Sequence, residues 1–330
     1  QIDASTIRLR WLAVILINAR PIQSRRGNTN PHPMKHIFRL AMAALASAVV
    51  SVNVLAFMQA RAMTRFAETG ERTRWPEQLS VLDRLTVLVL GVNIPRPVNK
   101  RTPADFDLSF ETYRFKNGDG TPLEAWFLPG SNDRLVVALF HGYAASKSTL
   151  LTAARAFHQI GYATLLVDFY GSGGSSGSGT TIGVKEADDV AAAVEYTRRN
   201  WPDRKIVLYG FSMGGAAVLR AVAANGAKPD AIIIEATFDS LLNTGKNRFQ
   251  AMGLPGSPFA ELLLFWGSVQ HGFNMFSHNP VDYARAVKLP ALILHGEKDE
   301  RTSIHEARTI ALAMGTHARF VAYDGVPHMP

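Results

Sequence analysis

From residue 163 onward, short continuous apolar runs alternate with longer stretches of helical periodicity. Apolar runs rich in Val, Ile and Leu are typical of strands that a parallel sheet buries on both faces, and helical stretches between them predict βαβ units. The pattern therefore predicts an α/β protein built on a mostly parallel sheet. In chain order, the predicted strands and helices span residues 163–167, 184–199, 206–209, 213–224 and 231–234.

A different pattern precedes this region. Polar and apolar residues alternate over 106–115 and again over 123–128, on either side of the turn-forming sequence Asn117-Gly118-Asp119-Gly120. Alternation with a period of two on both sides of such a turn predicts an antiparallel hairpin. We expect this hairpin to form the leading edge of the sheet.

The stretch Leu40–Met58 contains no charged residue, and its length approaches the roughly 20 residues that span a bilayer. It follows Met34-Lys35-His36-Ile37-Phe38-Arg39, which resembles a start site with a basic segment. We interpret residues 34–66 as a signal or transmembrane anchor. A cleaved signal peptide is the alternative, although Ala60-Arg61-Ala62 is a poor cleavage site.

The residues around this anchor complete the predicted organisation. We expect residues 1–33 to be a non-native or disordered leader, 67–105 a linker, and 106–330 the globular domain. The apolar stretch Leu85–Ile94 in the linker is too short to span a bilayer, so it is expected at the membrane interface or packed on the domain. Basic residues flank the anchor on both sides and leave its orientation open; we expect the globular domain outside the cytoplasm.

Composition excludes several classes of protein. The 330 residues, 47% of them hydrophobic, are enough for one large domain with a sizeable core. Cysteine is absent, which rules out disulfides and thiolate metal sites, and the histidines show no metal-ligand spacing. The formal net charge is +8, but the basic residues crowd the N-terminal third without a nucleic-acid-binding motif. We therefore expect no metal, no cofactor and no nucleic-acid partner.

The clearest chemical motif is Gly210-Phe211-Ser212-Met213-Gly214, which lies between the apolar run 205–208 and the small-residue run 216–222. A serine with a glycine two positions away on each side, between a strand and a helix, predicts a sharp turn that exposes a nucleophilic hydroxyl. Backbone segments approach closely at such a turn, so Gly210 and Gly214 are expected where no side chain fits.

A nucleophilic serine needs a base and an acid. His328 follows the predicted strand 320–323, and an imidazole with an ordinary pKa near 6.5 can take a proton at neutral pH. Asp299 follows the predicted strand 292–294 and a His-Gly turn, and we expect its carboxylate to orient the imidazole. The alternative acids are Asp324, Asp239 and Glu297.

The same chemistry needs backbone N–H groups that hold an oxyanion. One is expected from Met213, directly after the serine, and the other from Tyr143 in the loop that follows the predicted strand 135–140. Gly142 would let this loop pass close to the serine. We interpret His141 as a structural residue that braces the loop.

The order of these motifs resembles that of the α/β-hydrolase superfamily. The resemblance covers residues 106–328, and within the superfamily the chain is similar to the Bem46-like and serine-aminopeptidase-like branches. The motifs that carry it are His141-Gly142-Tyr143, Asp168–Gly177, Gly210–Gly215, His295–Asp299 and Pro327-His328. The resemblance implies an α/β-hydrolase fold, with an eight-stranded, mostly parallel sheet, helices on both faces and a small cap. It also implies a hydrolase active on carboxylic esters or related acyl compounds.

Two parts of the chain depart from the regular pattern. The βα alternation breaks over residues 241–289, where we expect a cap insertion over Ser212. Its aromatic residues either line an acyl pocket or only pack the cap onto the core; they include Phe259, Phe265, Trp266, Phe273 and Phe276. Members of the superfamily usually continue for another helix after the histidine, whereas this sequence stops at Pro330, and we expect a truncated C-terminus.

Taken with the anchor, these motifs favour a membrane-anchored serine hydrolase that cleaves small-molecule esters through an acyl-enzyme. Amidase or peptidase activity and thioesterase activity remain alternatives, because no residue identifies the leaving group. A non-catalytic binding or scaffold protein of the same fold is the alternative from a different class.

Overall fold

The computed structural model describes residues 33–75 and 78–328. The chain divides into two compact units, Gln1–Val50 and Ser51–Pro330. The described residues of the first unit are helical and belong to α1, Pro33–Thr64, which continues into the second unit. The predicted leader, residues 1–33, lies outside the described residues except for Pro33.

Among the described residues, α1 is the one helix that is long and apolar enough to cross a membrane. Its side chains from residue 34 to 50 are exposed, including those of Phe38 and Leu40. Apolar side chains on a whole helical surface need an apolar environment, which a bilayer provides. The helix is therefore consistent with a single-pass anchor.

The second unit is built on an eight-stranded sheet with the strand order β1-β2-β4-β3-β5-β6-β7-β8. β2 runs antiparallel to both of its neighbours, and all other pairs are parallel. This confirms the predicted mostly parallel sheet with an antiparallel hairpin at its leading edge. The strands are β1 (Glu111–Lys116), β2 (Pro122–Leu128), β3 (Asn132–Phe140), β4 (Tyr162–Val167), β5 (Lys205–Phe211), β6 (Ala231–Glu235), β7 (Ala291–Gly296) and β8 (Ala318–Tyr323).

Helices cover both faces of the sheet, as side chains along β3 show. Phe140 packs in one core cluster with residues of α4 and α5, whereas its neighbour Leu139 packs in a second cluster with residues of α3. Successive strand residues point to opposite faces, so the two clusters lie on opposite sides. After α1 the helices are α2 (Val81–Leu90), α3 (Leu151–Gln159), α4 (Glu186–Asn200), α5 (Met213–Ala224), α6 (Leu241–Ala251), α7 (Phe259–His271), α8 (Pro280–Ala286) and α9 (Ile304–Met314).

The region predicted as a linker contains α2, which starts a few residues before the predicted apolar stretch. Ser80 begins this helix with a capping box, in which its hydroxyl accepts the Asp83 N–H at 3.2 Å and the Asp83 carboxylate accepts the Ser80 N–H. Val87 is buried, whereas Leu82 and Leu85 are exposed. The helix thus covers the domain with one side and leaves an apolar side uncovered.

Helices α6, α7 and α8 lie between β6 and β7, in the segment predicted to form the cap. The last turns of α1 pack on α7. The indole Nε1 of Trp266 donates to Asn53 at 3.2 Å, and the rings of Phe57 and Trp266 meet edge-on at 5.5 Å. Residues 51–64 of α1 therefore belong to the globular unit. Hydropathy does not predict their contact with α7.

Candidate active site

Ser212 lies in the turn between β5 and α5, with φ 51° and ψ −114°. A positive φ is strained for a residue with a side chain. The Ser212 N–H donates to the Glu235 backbone carbonyl at 2.8 Å, and the Thr237 hydroxyl donates to the Ser212 carbonyl at 2.9 Å. A Cβ on Gly210 or Gly214 would lie 2.6 or 2.3 Å from a backbone oxygen. Both positions therefore require glycine for the turn to close.

Asp299 and His328 are in direct contact, with 2.6 Å between Oδ2 of Asp299 and Nδ1 of His328. The carboxylate also accepts the N–H of Arg301 at 2.8 Å, the N–H of Thr302 at 3.0 Å and the Thr302 hydroxyl at 2.8 Å. An ionised carboxylate only accepts hydrogen bonds, so Nδ1 carries the proton. Nε2 of the neutral imidazole is then left with a lone pair, as a general base needs.

The Asp299 side chain is only 1% exposed. Burial by itself favours the protonated carboxyl, but the hydrogen bond and charge of His328, with the hydrogen bonds from Thr302, outweigh it and hold the pKa of Asp299 below its usual range. Asp299 is consequently ionised at neutral pH, so its carboxylate can accept the Nδ1–H of His328.

The three alternative acids have other surroundings. Asp239 accepts the side-chain amide of Asn243 at 3.1 Å, while Glu297 and Asp324 are exposed. Contact with the imidazole therefore favours Asp299 as the acid partner of His328.

Ser212 and His328 line the same cavity, which has a volume of about 230 Å³. Gly142, Tyr143 and Met213 also line it, so the predicted nucleophile, base and oxyanion residues surround one space. The remaining wall is largely apolar and comes from the core, the cap and the end of α1. It includes Ala60, Met63, Phe211, Phe238, Leu241, Leu263, Leu264 and Met275.

The loop after β3 passes close to the nucleophile. A Cβ on Gly142 would lie 3.2 Å from the Phe211 ring and 3.5 Å from Cβ of Ser212. His141 is buried, and its ring nitrogens contact the Phe169 N–H at 3.2 Å and the Gly142 carbonyl at 2.9 Å. Burial lowers the pKa of His141, so it is a neutral residue that braces the loop.

Sequence reasoning missed the residues that hold this loop from outside. Arg72 donates to the Ala144 carbonyl at 3.1 Å, and the Tyr143 hydroxyl donates to the Met63 carbonyl at 2.5 Å. Both contacts join the loop to residues that are about 70 to 80 positions earlier in the chain. No local spacing marks such partners.

A buried ion-pair cluster holds the other end of the loop. The Lys147 side chain is fully buried and pairs with Asp168 and, at 3.0 Å, with Glu124. The Lys147 N–H also donates to Asp168 at 2.7 Å. A lysine is rarely buried unless it is paired, but the sequence alone does not show that Lys147 is buried.

The predicted cap aromatics are not among the described residues that line the cavity. Phe265 is 49% exposed, and the Phe259 ring packs against Phe249 at 5.6 Å. The Trp266 ring packs against Phe57 of α1. The cap lines the cavity with non-aromatic residues instead, both apolar and polar, which favours the packing role for its aromatic rings.

Comparison with known proteins agrees with this fold. Residues 131–281 match the family described as serine aminopeptidase, S33. The chain is 29% identical over 208 residues to protein Bem46 of Schizosaccharomyces pombe. This match covers 61% of this chain and 64% of Bem46. It is 26% identical over 242 residues to the α/β-hydrolase domain-containing protein WAV2 of Arabidopsis thaliana, covering 69% and 75% of the two chains.

The chain has the α/β-hydrolase fold and is similar to the Bem46-like branch of that superfamily. Among solved structures, an esterase of Pyrococcus furiosus matches this chain with a TM-score of 0.57 and 23% identity, over 72% of this chain and 90% of that chain. At that identity the likeness supports the fold alone. The match spans just under two thirds of Bem46.

Proposed function

We propose that this α/β-hydrolase is a membrane-anchored serine hydrolase that cleaves carboxylic esters or related acyl bonds. One observation carries the proposal: the Asp299–His328 pair, joined at 2.6 Å, lies beside the cavity that Ser212 enters from a strained turn. Strain of this kind is found at functional sites, and the three side-chain types together perform nucleophilic catalysis on many folds.

In the proposed first half-reaction, the Ser212 hydroxyl attacks the substrate carbonyl while Nε2 of His328 takes its proton. The C=O bond becomes a C–O⁻ oxyanion, which the N–H groups of Met213 and Tyr143 would hold. The oxyanion then collapses, the bond to the leaving group breaks, and His328 gives the proton to the departing alcohol. The products are free alcohol and an ester between the acyl group and Ser212.

In the second half-reaction, His328 takes a proton from water, and the resulting hydroxide attacks the acyl-enzyme. The bond to Ser212 breaks, and the serine oxygen recovers the proton from His328. Asp299 remains ionised throughout and stabilises the imidazolium in both half-reactions. Met213 is the first residue of α5, so its N–H also lies at the positive end of a helix dipole.

Two alternatives remain within the fold. An amide or thioester substrate would use the same groups, since only the leaving atom differs. A non-catalytic binding or scaffold protein would need none of them. The positive φ of Ser212 favours an enzyme, because backbone strain at a residue with a side chain costs stability and is found at functional sites.

The membrane attachment is also part of the proposal. Helix α1 would anchor the protein, and the exposed apolar side of α2 would lie at the bilayer surface. We propose the catalytic domain outside the cytoplasm. Protease digestion of intact cells tests this orientation: digestion of the domain without cell lysis is expected, and protection until lysis would contradict it.

A fluorophosphonate probe tests the catalytic proposal, because it forms a stable bond only with an activated serine. We expect labelling of the full chain, no labelling of Ser212→Ala, and full labelling of a control, Ser176→Ala, at an exposed serine. Absence of labelling in the wild-type protein would support the scaffold. A series of p-nitrophenyl esters beside an aminoacyl anilide and an acyl thioester then identifies the bond that is cleaved.

A further inference from the structure

A second cavity of about 90 Å³ lies next to the first, beneath α2. Its own wall includes the apolar residues Leu79, Val87, Leu88, Val92, Ile94, Phe249 and Met252. Leu79 and Val87 are 8% and 9% exposed. The second cavity is therefore a largely apolar space that suits a hydrocarbon ligand.

The two cavities share part of their walls. Six residues line both of them: Met63, Arg72, Trp75, Tyr143, Arg248 and Leu263. Met63 is unbranched and flexible, and such side chains adapt to irregular ligands. Tyr143, which follows Gly142 beside the nucleophile, thus lies between the Ser212 cavity and the space beneath α2.

The outer side of α2 is apolar and exposed. Leu82, Leu85, Val89 and Leu90 are 76%, 55%, 57% and 73% exposed, whereas Val87 on the same helix points into the second cavity. One short helix therefore presents apolar side chains outward and covers an apolar cavity inward. A helix with this distribution suits the surface of a bilayer.

We propose that the second cavity binds the distal part of a long acyl chain whose carbonyl group is at Ser212, so that Val87 and Leu79 determine acyl-chain length. The inference rests on the proposed function and specifies its substrate class as long-chain acyl compounds. A short acyl group fills only the first cavity. A long chain passes between the two cavities along a wall that includes Met63 and Leu263.

The test compares chain-length preference in the full chain held in lipid nanodiscs, because detergent would compete for an acyl site. Val87→Trp fills the second cavity from α2, and Leu79→Trp fills it from the segment just before that helix. The matched control is Leu312→Trp, the same substitution at an exposed position of α9, away from α2. For each protein, kcat/KM is measured with p-nitrophenyl butyrate and p-nitrophenyl laurate.

We expect the laurate-to-butyrate ratio to fall about tenfold in Val87→Trp and Leu79→Trp, which corresponds to fewer than two methylene groups removed from an apolar environment. Butyrate hydrolysis should be unchanged, and Leu312→Trp should match the wild-type protein in both. An unchanged ratio in folded Val87→Trp and Leu79→Trp would overturn the proposal. If the wild-type protein hydrolyses neither ester, this result would instead contradict the proposed function.

A binding measurement separates the cavity from catalysis. Laurate binding to Ser212→Ala is measured by calorimetry, with and without Val87→Trp. We expect laurate to bind Ser212→Ala, with about tenfold weaker binding when Val87→Trp is added and no change when Leu312→Trp is added. Equal affinity in all three proteins would show that the chain lies elsewhere and would overturn the proposal even if esters are hydrolysed.

Discussion

Nδ1 of His328 lies 2.6 Å from the carboxylate of Asp299, and the two residues follow the adjacent parallel strands β7 and β8. Strand pairing thus brings together side chains that are 29 positions apart. Because neighbouring parallel strands end at the same edge of a sheet, the contact depends on the topology rather than on local sequence. Ser212 follows β5 and reaches the same edge.

Replacing Asp299 by Asn tests this contact. The amide would present its N–H₂ or a neutral oxygen to His328, so the imidazole loses its fixed tautomer and the charge that stabilises its protonated form. We expect kcat to fall by about 10³ to 10⁴, with little change in folding, measured by ester hydrolysis and circular dichroism. Asp324→Asn, at an exposed alternative acid, is the control. Near-normal turnover in Asp299→Asn with loss in Asp324→Asn would contradict the assignment.

Gly142→Ala tests the position of the oxyanion loop. The added methyl group would meet the Phe211 ring at 3.2 Å, so the loop or the ring must move away from Ser212. We expect kcat to fall by about 10- to 100-fold with a smaller change in KM, because misplaced donors weaken transition-state binding. The control is Gly118→Ala in the hairpin turn, where the added methyl group has open space. Equal activity of the two variants would argue against Tyr143 as a donor.

Lys147→Met tests the buried cluster behind the loop. The substitution leaves the Asp168 carboxylate buried without its cation, and breaking a buried pair from one side costs about 3 to 5 kcal/mol. Arg114→Met removes the exposed partner of Glu124, since Arg114 is 75% exposed, and should cost less than about 1 kcal/mol. Urea unfolding of both variants measures the free energies. Similar losses would show that Lys147 is not the centre of the cluster.

A buried histidine predicts that the protein loses stability in acid. Burial lowers the pKa of His278 to about 3, and its Nε2 lies 3.0 Å from the Ile182 carbonyl. The unfolded chain takes up a proton near pH 6.5 while the folded chain does not, so stability present above pH 6.5 falls as the pH is lowered towards 3. At about 1.36 kcal/mol per pH unit, the loss at pH 5 is about 2 kcal/mol.

The variant His278→Gln isolates this contribution, because a glutamine amide donates to the same carbonyl but does not titrate. The free energy of unfolding is measured for both proteins at pH 8 and pH 5. The wild-type protein should lose about 2 kcal/mol more than the variant over this interval. Identical losses would mean that the protonated imidazole is accommodated in the folded state.

Two deletions test where the anchor ends and the domain begins. Removing residues 1–50 should abolish membrane association through α1 and leave Asn53, Phe57 and Met63 in contact with the domain. Removing residues 1–66 deletes these contacts as well, so its melting temperature should be lower by several degrees. Fractionation and thermal unfolding measure both effects. Equal melting temperatures would show that residues 51–66 do not stabilise the domain.

The chain pattern anticipated much of the sheet and the turn at Ser212, because both depend on local properties. Continuous apolar runs such as Leu135–Phe140 become buried strands wherever a parallel sheet forms. Gly210 and Gly214 mark the turn because no other residue fits there. The spacing around Asp299 also contained an unused signal, since Thr302, three positions later, is well placed to donate to its carboxylate.

Other features depend on residues that meet only after the chain has folded. The support of the oxyanion loop by Arg72 and Met63 and the burial of Lys147 join distant positions, so the order of residues alone did not select them. The sequence predicted Asp299 as the partner of His328 but left three other acids open, and it is the folded structure that puts Asp299 in contact with the imidazole. Hydropathy identified α1 but did not reveal that its last turns line the cavity. Composition and periodicity specify which helix or strand each segment can form. Packing specifies which segments touch, because contact energies arise between residues that are distant in the sequence.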